Sequence, residues 1–536
     1  MARKQAEEVV SPRRAADTDS SSIDFANPEF RRLTELVEHT SQSIFLTGKA
    51  GTGKSTFLRY IIDHTDKKCA VLAPTGIAAV NVGGQTLHSF FHLPLQPVLP
   101  DDPEFHSSRL RDRLNLTGRS LKLFKEIELI VIDEISMVRA DVIDLIDRIL
   151  RTFGGGDRRK PFGGKQLLLV GDVFQLEPVV TPEDKSILQK EYCYPFFFNA
   201  RVFKTFGLVS IELRKAYRQH QKDFIDILDR FRAGVPSHSD IDSINSRCRG
   251  TEEPSDNDAG RCIVMTLAAR RDVVKQINDV HLERLKGRTV VYTGEVSGDF
   301  PPSAYPTDLN LRLKKGAQVI FLRNDAERRF VNGTLGIVSA IKDDSLKVKL
   351  ENGTEIDVEP AIWENVTYQY EAKTKRVSTN VKGTFTQFPV KPAWALTIHK
   401  SQGLTFDNVI IDLGRGGAFA GGQVYVALSR CTSLEGIRLR TCVDARDVFV
   451  HPEVIRFSRS FNDIRAHEEA LRASQAENLL TSAEKAYSEG EYREAVEYFN
   501  EAILANPQLN TPAFRRLVAM RLADTAIPGK RKRKKK

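Results

Sequence analysis

The stretch Gly48-Lys49-Ala50-Gly51-Thr52-Gly53-Lys54-Ser55-Thr56 has the make-up of a phosphate cradle. The spacing G-x-x-x-x-G-K-[ST] lets the backbone turn tightly, so that consecutive N–H groups point inward at an anion. Lys54 would reach the outer phosphates and Ser55 would offer its hydroxyl to Mg²⁺, while the helix that follows adds the partial positive charge of its N-terminus. A second chemical pair, Asp133-Glu134, closes the apolar run Leu129-Ile130-Val131-Ile132. Phosphoryl transfer to water needs a metal and a group that orients the water. Asp133 suits the first task, holding the metal through water, and Glu134 the second. Gly171-Asp172-Val173-Phe174-Gln175-Leu176 sets an uncharged amide beyond a further apolar run, where Gln175 could hydrogen-bond a γ-phosphate or the attacking water.

These residues need elements to carry them. Ile44-Phe45-Leu46 reads as a strand before the cradle and Phe57 to Ile62 as a helix after it. A helical pattern begins near Pro28-Glu29-Phe30, with Leu33, Leu36 and Val37 on one face. Ala70-Val71-Leu72-Ala73 predicts a buried strand, then Pro74-Thr75-Gly76 and a short helix. Leu129–Ile132 and Leu167–Val170 predict two more strands, separated by a helix over 138–153. Residues 92–118, with Pro94, Pro97, Pro100 and Pro103, interrupt this rhythm as an insertion. Repeated strand–loop–helix units predict an α/β fold with a parallel, doubly wound sheet, whose ligands bind at the carboxyl edge. Gly48–Thr56, Thr75, Asp133-Glu134 and Asp172–Gln175 all fall on that edge.

A second set of elements begins near residue 211, with expected strands at Cys262–Met265, Val319–Leu322, Trp394–Thr397 and Val409–Asp412. From Gly333 to Phe388 the pattern turns to β-type. Leu346, Val348 and Leu350 alternate, Asn352-Gly353 supplies a hairpin turn, and Ile356 and Val358 resume the alternation, which reads as a small inserted β-barrel. Residues 451–475 read as a helical linker. Over 476–510, Gly490, Tyr492, Ala495, Phe499, Ala502 and Pro507 resemble one tetratricopeptide repeat, either a hook for a protein partner or a helical hairpin that docks on the body or self-associates.

The 536-residue chain exceeds what one core supports, so several domains are expected. Hydrophobic content of 41% with 28% charge describes a soluble globular protein, and no apolar run reaches the ~20 residues of a membrane span. Residues 1–24 are polar and expected to be disordered, and the N-terminus lacks an apolar core segment and carries acids, unlike a secretory or organelle-import signal. Cys69, Cys193, Cys248, Cys262, Cys431 and Cys442 form no C-x-x-C pair, which favours reduced thiols in a cytosolic-type compartment over disulfides or zinc. Of the net charge of +9, seven units lie in the tail Lys530–Lys536, within a basic terminal segment 511–536. Such a tail touches nucleic acid, serves as a nuclear address, or is a solvated end.

In order along the chain, Gly48–Thr56, Ala73–Ala79, Thr86–Phe90, Asp133–Met137 and Gly171–Leu176 resemble the motifs of Pif-type DNA helicases, the RecD-like branch of helicase superfamily one. Leu213–Gln219, Phe330–Gly336, Thr397–Thr405 and Tyr425–Arg430 continue the resemblance, which spans roughly 25–450. It implies two tandem RecA-like P-loop domains, 25–210 and 211–332 with 389–450, the first carrying a wedge at 92–118 and the second a β-barrel at 333–388. It also implies ATP and Mg²⁺ as cofactors, with single-stranded, forked or structured DNA as partner. Translocation would run 5′-to-3′ in repair, replication, recombination or telomere maintenance, in the cytoplasm of a bacterium or the nucleus of a eukaryote.

By the same resemblance, Arg218 and Arg430 reach the γ-phosphate from the second domain, beside Lys54, Glu134 and Gln175. Gly48, Ala50, Gly51, Thr52, Gly53, Lys54, Ser55 and Thr56 bind ATP, with Ser55 and Asp133 at the metal. Thr75, Gly76, His88, Thr397, His399 and Lys400 face DNA. One departure stands out: Arg31 and Arg32 occupy the region where the family often carries an adenine-reading glutamine, with Gln42 further on, so that role is unassigned. Two other readings are a helicase module of a RecD-like nuclease complex or DNA-transfer system, and a scaffold with a dead ATPase. The intact set of catalytic side chains disfavours the latter.

Overall fold

The computed structural model describes residues 27–516 apart from Ala50, Leu95, 216–221, 249–263, Asn324, Ala326, Arg328, Val331, 343–344, Glu351, 372–375, Arg415 and Ala513. Six parallel strands build the first unit: β1 Ile44–Gly48, β2 Cys69–Ala73, β3 Gln85–Thr86, β4 Leu129–Ile132, β5 Gln166–Val170 and β6 Val209–Leu213, in the order β3-β2-β4-β5-β1-β6. β1, β4 and β5 are buried along their whole length, as strands covered on both faces must be, hence the unbroken apolar runs. Helix Pro28–His39 packs Phe30, Leu33, Leu36 and Val37 on one face, capped where Asn27 Oδ1 accepts from Glu29 N at 2.9 Å. Helix Ala140–Phe153 buries Ile143, Ile146, Ile149 and Leu150 on the other.

The insertion at 92–118 is part of that second core. Val98, Phe105, Leu110, Leu114 and Leu116 are buried in it. Asp141 Oδ2 accepts from Val98 N at 3.1 Å, and Arg148 donates to Phe105 O at 2.9 Å. The expected boundary at 210/211 is corrected, because it would cut β6, which pairs with β1 from Ile44↔Val209 to Gly48↔Leu213.

In the second unit, β7 spans Met265–Ala268, so the strand expected at Cys262–Met265 starts later, with 262–263 outside the described residues. After helix Arg271–Arg284 come β8 Val290–Thr293, β9 Glu295–Gly298, β10 Asn310–Leu313, β11 Gln318–Phe321, β12 Leu335–Ile341, β13 Leu346–Leu350, β14 Glu355–Val358, β15 Ala361–Glu371, β16 Arg376–Gln387 and β17 Val390–Pro392. They form sheets ordered β14-β13-β12-β11-β17, β15-β16-β9 and β10-β8. The β-rich insertion therefore begins before residue 333 and ends after 388. β11, expected in the parent sheet, pairs antiparallel with β12 and β17 instead. An apolar run of four cannot distinguish those two settings. The parent sheet resumes with β18 Ala395–Thr397, β19 Val409–Asp412 and β20 Ile437–Leu439, all parallel in the order β18-β7-β19-β20.

The chain then returns to the first unit, so 451–475 is more than a linker. Phe457 packs on Phe45, Phe197 and Phe198. Asn462 brackets edge strand β6, accepting from Glu212 N and donating to Glu212 O, each at 3.0 Å. That contact occupies backbone groups that an edge strand would otherwise expose. One helix, Ile464–Glu489, runs through the expected break at 475/476 and pairs with helix Tyr492–Ala505 around Ala483, Ala486, Ala495, Phe499 and Ala502. Its N-terminal half docks on the body, where Ser474 Oγ donates to His39 O at 2.8 Å and Lys160 pairs with Glu477. Among the described residues no helix is long and apolar enough to cross a membrane.

Candidate nucleotide site and interdomain cleft

β1 delivers the glycine-rich loop to the carboxyl edge. Gly51 and Gly53 adopt φ +78° and +92°, which a side chain would resist, and the loop opens directly into helix Lys54–His64. Lys54 Nζ donates to the carbonyls of Gly48 at 2.6 Å and Lys49 at 2.9 Å. Burial lowers the Lys54 pKa, while Asp172, Glu134 and Asp133 oppose that shift. Thr52 is buried with its hydroxyl on Lys49 O at 3.0 Å, whereas Ser55 and Thr56 are exposed at the start of the helix. Ala50 lies outside the described residues.

β4 ends at Asp133 and Glu134. Asp133 Oδ1 accepts from Glu134 N at 2.9 Å, and Glu134 sits in the left-handed region at φ +51°, rare for a residue with a side chain. Strain of this kind costs roughly 1–3 kcal/mol and persists only where the surroundings impose it. Burial raises the Glu134 carboxyl to about 7, with Asp133 adding to the rise and Lys54 and Arg430 opposing it. Burial raises Asp133 as well, against the Glu134 backbone N–H and Lys54. Hard oxygen donors on Ser55 and Asp133 are the ligand type Mg²⁺ takes, and Asp133 keeps one carboxylate oxygen clear of the Glu134 contact.

β5 leads into the turn 172–175, which faces the second unit. Asp172 is buried against Arg232, whose Nη2 lies 3.0 Å from Oδ1. Gln175 is 8% exposed, and its Oε1 accepts from Gln402 Nε2 at 3.4 Å. Gly422, at φ +73°, backs onto the same turn; a Cβ there would come within 2.4 Å of Phe174 O and 2.5 Å of Gln175 O. Lys49 of the loop pairs with Asp229 of helix Lys222–Arg232. Arg430, 4% exposed, donates to Val426 O at 3.1 Å, Leu404 O at 3.2 Å, Ser401 O at 3.4 Å and Ser429 Oγ at 2.9 Å. Lys54, Asp133, Glu134, Asp172 and Arg430 are thus assembled at one cleft, while Arg218 lies outside the described residues.

The candidate DNA-facing residues divide. Gly76 and Lys400 line one cleft between the first unit, the β insertion and the second unit, together with Ala304, Asn332, Lys391 and Gln402. Thr75 is exposed, its Oγ1 accepting from Ala78 N at 3.3 Å. Thr397 is buried, its Oγ1 accepting from Lys400 N at 3.2 Å, so it shapes the turn carrying His399 and Lys400. His88 lies on helix Leu87–Phe91 near Arg139 and Asp141, away from that lining. Burial lowers the pKa of both His88 and His399, leaving neutral imidazoles at pH 7. Gln42 donates to Gly207 O at 2.7 Å, a structural use of its amide.

Sequence reasoning missed Lys391 and Arg232. Burial and the neighbouring Lys400 lower the Lys391 amine to about 8, against Asp308. Val390-Lys391-Pro392 carries no motif that marks it, and Arg232 ends an ordinary amphipathic helix.

A profile of the PIF1-like helicase family matches residues 29–241. The ATP-dependent DNA helicase Pif1 of Bdellovibrio bacteriovorus is 30% identical over 444 residues, 82% of this chain and 92% of that protein. Human ATP-dependent DNA helicase PIF1 is 33% identical over 429 residues, 78% of this chain but 61% of the human protein's length. The solved structure of Bacteroides sp Pif1 in complex with ADP-AlF4 has a TM-score of 0.73 at 38% identity, covering 81% of this chain and 96% of that one. Bacteroides Pif1 bound to ssDNA has a TM-score of 0.57 at the same identity and coverage.

Proposed function

Because the chain belongs to the PIF1-like helicase family, we propose that its ATP-dependent DNA helicase activity works by opening and closing the cleft that Lys54, Asp133, Glu134 and Arg430 share. The observation that carries this reading is the Asp172–Gln175 turn. It stands beside the phosphate loop yet is held by Arg232, Gln402 and Gly422 of the second unit. Lys54 holds the outer phosphates, and Glu134, its basicity raised by burial, orients and accepts a proton from the attacking water. Ser55 and Asp133 would hold Mg²⁺, which supplies charge neutralisation at the phosphate oxygens. Gln175 meets the γ-phosphate, and Arg430, with Arg218, completes the charge when the cleft closes.

The single strand lies along Thr75, Gly76, His399, Lys400 and Lys391. Hydroxyl, backbone, neutral imidazole and ammonium groups contact the DNA backbone without reading bases. Movement runs 5′-to-3′ and splits forked DNA. The test compares ATP-dependent unwinding of duplexes carrying a 5′ or a 3′ single-stranded tail. Unwinding of the 5′-tailed duplex alone is expected; equal or reversed preference refutes the polarity.

A further inference from the structure

Helix Lys222–Arg232 belongs to the second unit by its apolar face, where Phe224, Ile227, Leu228 and Phe231 pack with Met265, Leu267, Ile411 and Val424. Its last residue reaches the other way. The Arg232 side chain is 9% exposed, and its guanidinium reaches Asp172, Glu212 and Phe174 of the first unit. Nε lies 3.2 Å from Asp172 Oδ2, Nη2 3.0 Å from Asp172 Oδ1, and Nη1 2.9 Å from Glu212 Oε1, while Cζ stands 4.2 Å from the centre of the Phe174 ring. Planar forked donors and a stackable face make arginine the one side chain able to satisfy two carboxylates and an aromatic ring together.

The partners on the first unit are not independent of the nucleotide site. Asp172 Oδ1 accepts from Phe174 N at 3.2 Å and Asp172 O from Gln175 N at 3.0 Å, so the carboxylate gripped by Arg232 also builds the turn presenting Gln175. Tyr425 of the second unit adds its hydroxyl to Asp172 Oδ2 at 3.4 Å. Glu212 sits on β6, whose backbone Asn462 holds from the far side.

We propose that Arg232 is a positioning residue for hydrolysis, holding the Asp172–Gln175 turn against the second unit so that single-stranded DNA on that unit sets turnover at the phosphate loop. The proposal rests on the ATP-dependent helicase reading above. Arg232 touches no reacting atom in this arrangement; it acts through the turn.

The test measures ATP KM, single-strand affinity, DNA-free and DNA-stimulated kcat and the melting temperature of the full chain, for wild type, Arg232→Lys and Arg232→Gln. Arg232→Gln is expected to lower DNA-stimulated kcat roughly 10-fold while KM and single-strand affinity stay within about 3-fold. Arg232→Lys, a point charge without the fork, should recover part of the stimulation. Wild-type stimulation per folded molecule in Arg232→Gln overturns the proposal. Leaving Asp172 buried without its partner risks the fold. The double variant Asp172→Asn with Arg232→Gln, a neutral hydrogen-bonding pair, covers that case. Normal melting with stimulation still lost supports the proposal, and full recovery of stimulation makes the pair merely structural and overturns it. A wild type whose hydrolysis ignores single-stranded DNA fails the helicase reading itself, an outcome visible before any variant is made.

Discussion

Asp133 and Glu134 stand at the end of a continuous parallel strand with their backbone locked, whereas Arg430, on the facing wall of the same cleft, has its donors on carbonyls of its own unit. The first wall is preorganised. β1, β4 and β5 are wholly buried, so the side chains at their ends inherit the rigidity of the sheet. The second wall holds its arginine in reserve. To meet a phosphate, Arg430 has to exchange the carbonyls of Val426, Ser401 and Leu404 for phosphate oxygens, and Ser401 and Leu404 flank the turn that carries Gln402. On the proposed mechanism, that exchange would join nucleotide chemistry to movement of the second unit. The same contrast would let the cleft bind nucleotide while open and hydrolyse it on closure.

The contrast can be broken at either wall. Lys54→Ala removes the ammonium from the preorganised side, and DNA-stimulated hydrolysis should fall to background while filter binding of single-stranded DNA persists; continued turnover would mean the loop is misassigned. Arg430→Ala attacks the reserve side. On the scale of other arginine fingers it should cost on the order of 10³ in turnover with nucleotide binding retained. A drop in melting temperature with unchanged turnover would instead make Arg430 an internal tie.

Gly422→Ala probes the contact between the walls. Positive φ and a Cβ 2.4 Å from Phe174 O should together cost about 1–3 kcal/mol, read as a lower denaturant midpoint, with the cleft biased open. Lys391 tests the smallest effect. Its amine, lowered to about 8, is charged below that pH and neutral above it, so single-strand affinity should weaken as pH rises through 8. Lys391→Met should flatten that dependence and reduce the salt slope by about one. An unchanged pH profile would remove Lys391 from the DNA path.

What could be read in the sequence was local. Gly48–Thr56, Asp133-Glu134 and Gly171–Gln175 announce themselves because a tight turn at a strand's carboxyl end is written in adjacent residues, and each lies at such an end in the structure. Apolar runs and helix starts located β1, β2, β4 and β5 for the same reason. Partnership was not legible. Nothing near β11 says it pairs with β12 and β17 instead of β7, since a buried strand looks alike in either sheet. Thr397 carried a family position but spends its hydroxyl on Lys400 N, a use visible only in three dimensions.

The sequence by itself determined that the chain folds into parallel α/β units around a phosphate loop with an acidic pair beside it, because periodicity and turn chemistry act over a few residues. Only the tertiary structure decided which distant residues complete the site. Arg232 reaches Asp172 across 60 positions, Gln402 meets Gln175 across 227, and Asn462 closes the edge of β6 across 250. No local propensity encodes such contacts. They exist because two units and a returning C-terminal segment bury their apolar faces together and bring these polar groups within hydrogen-bonding distance.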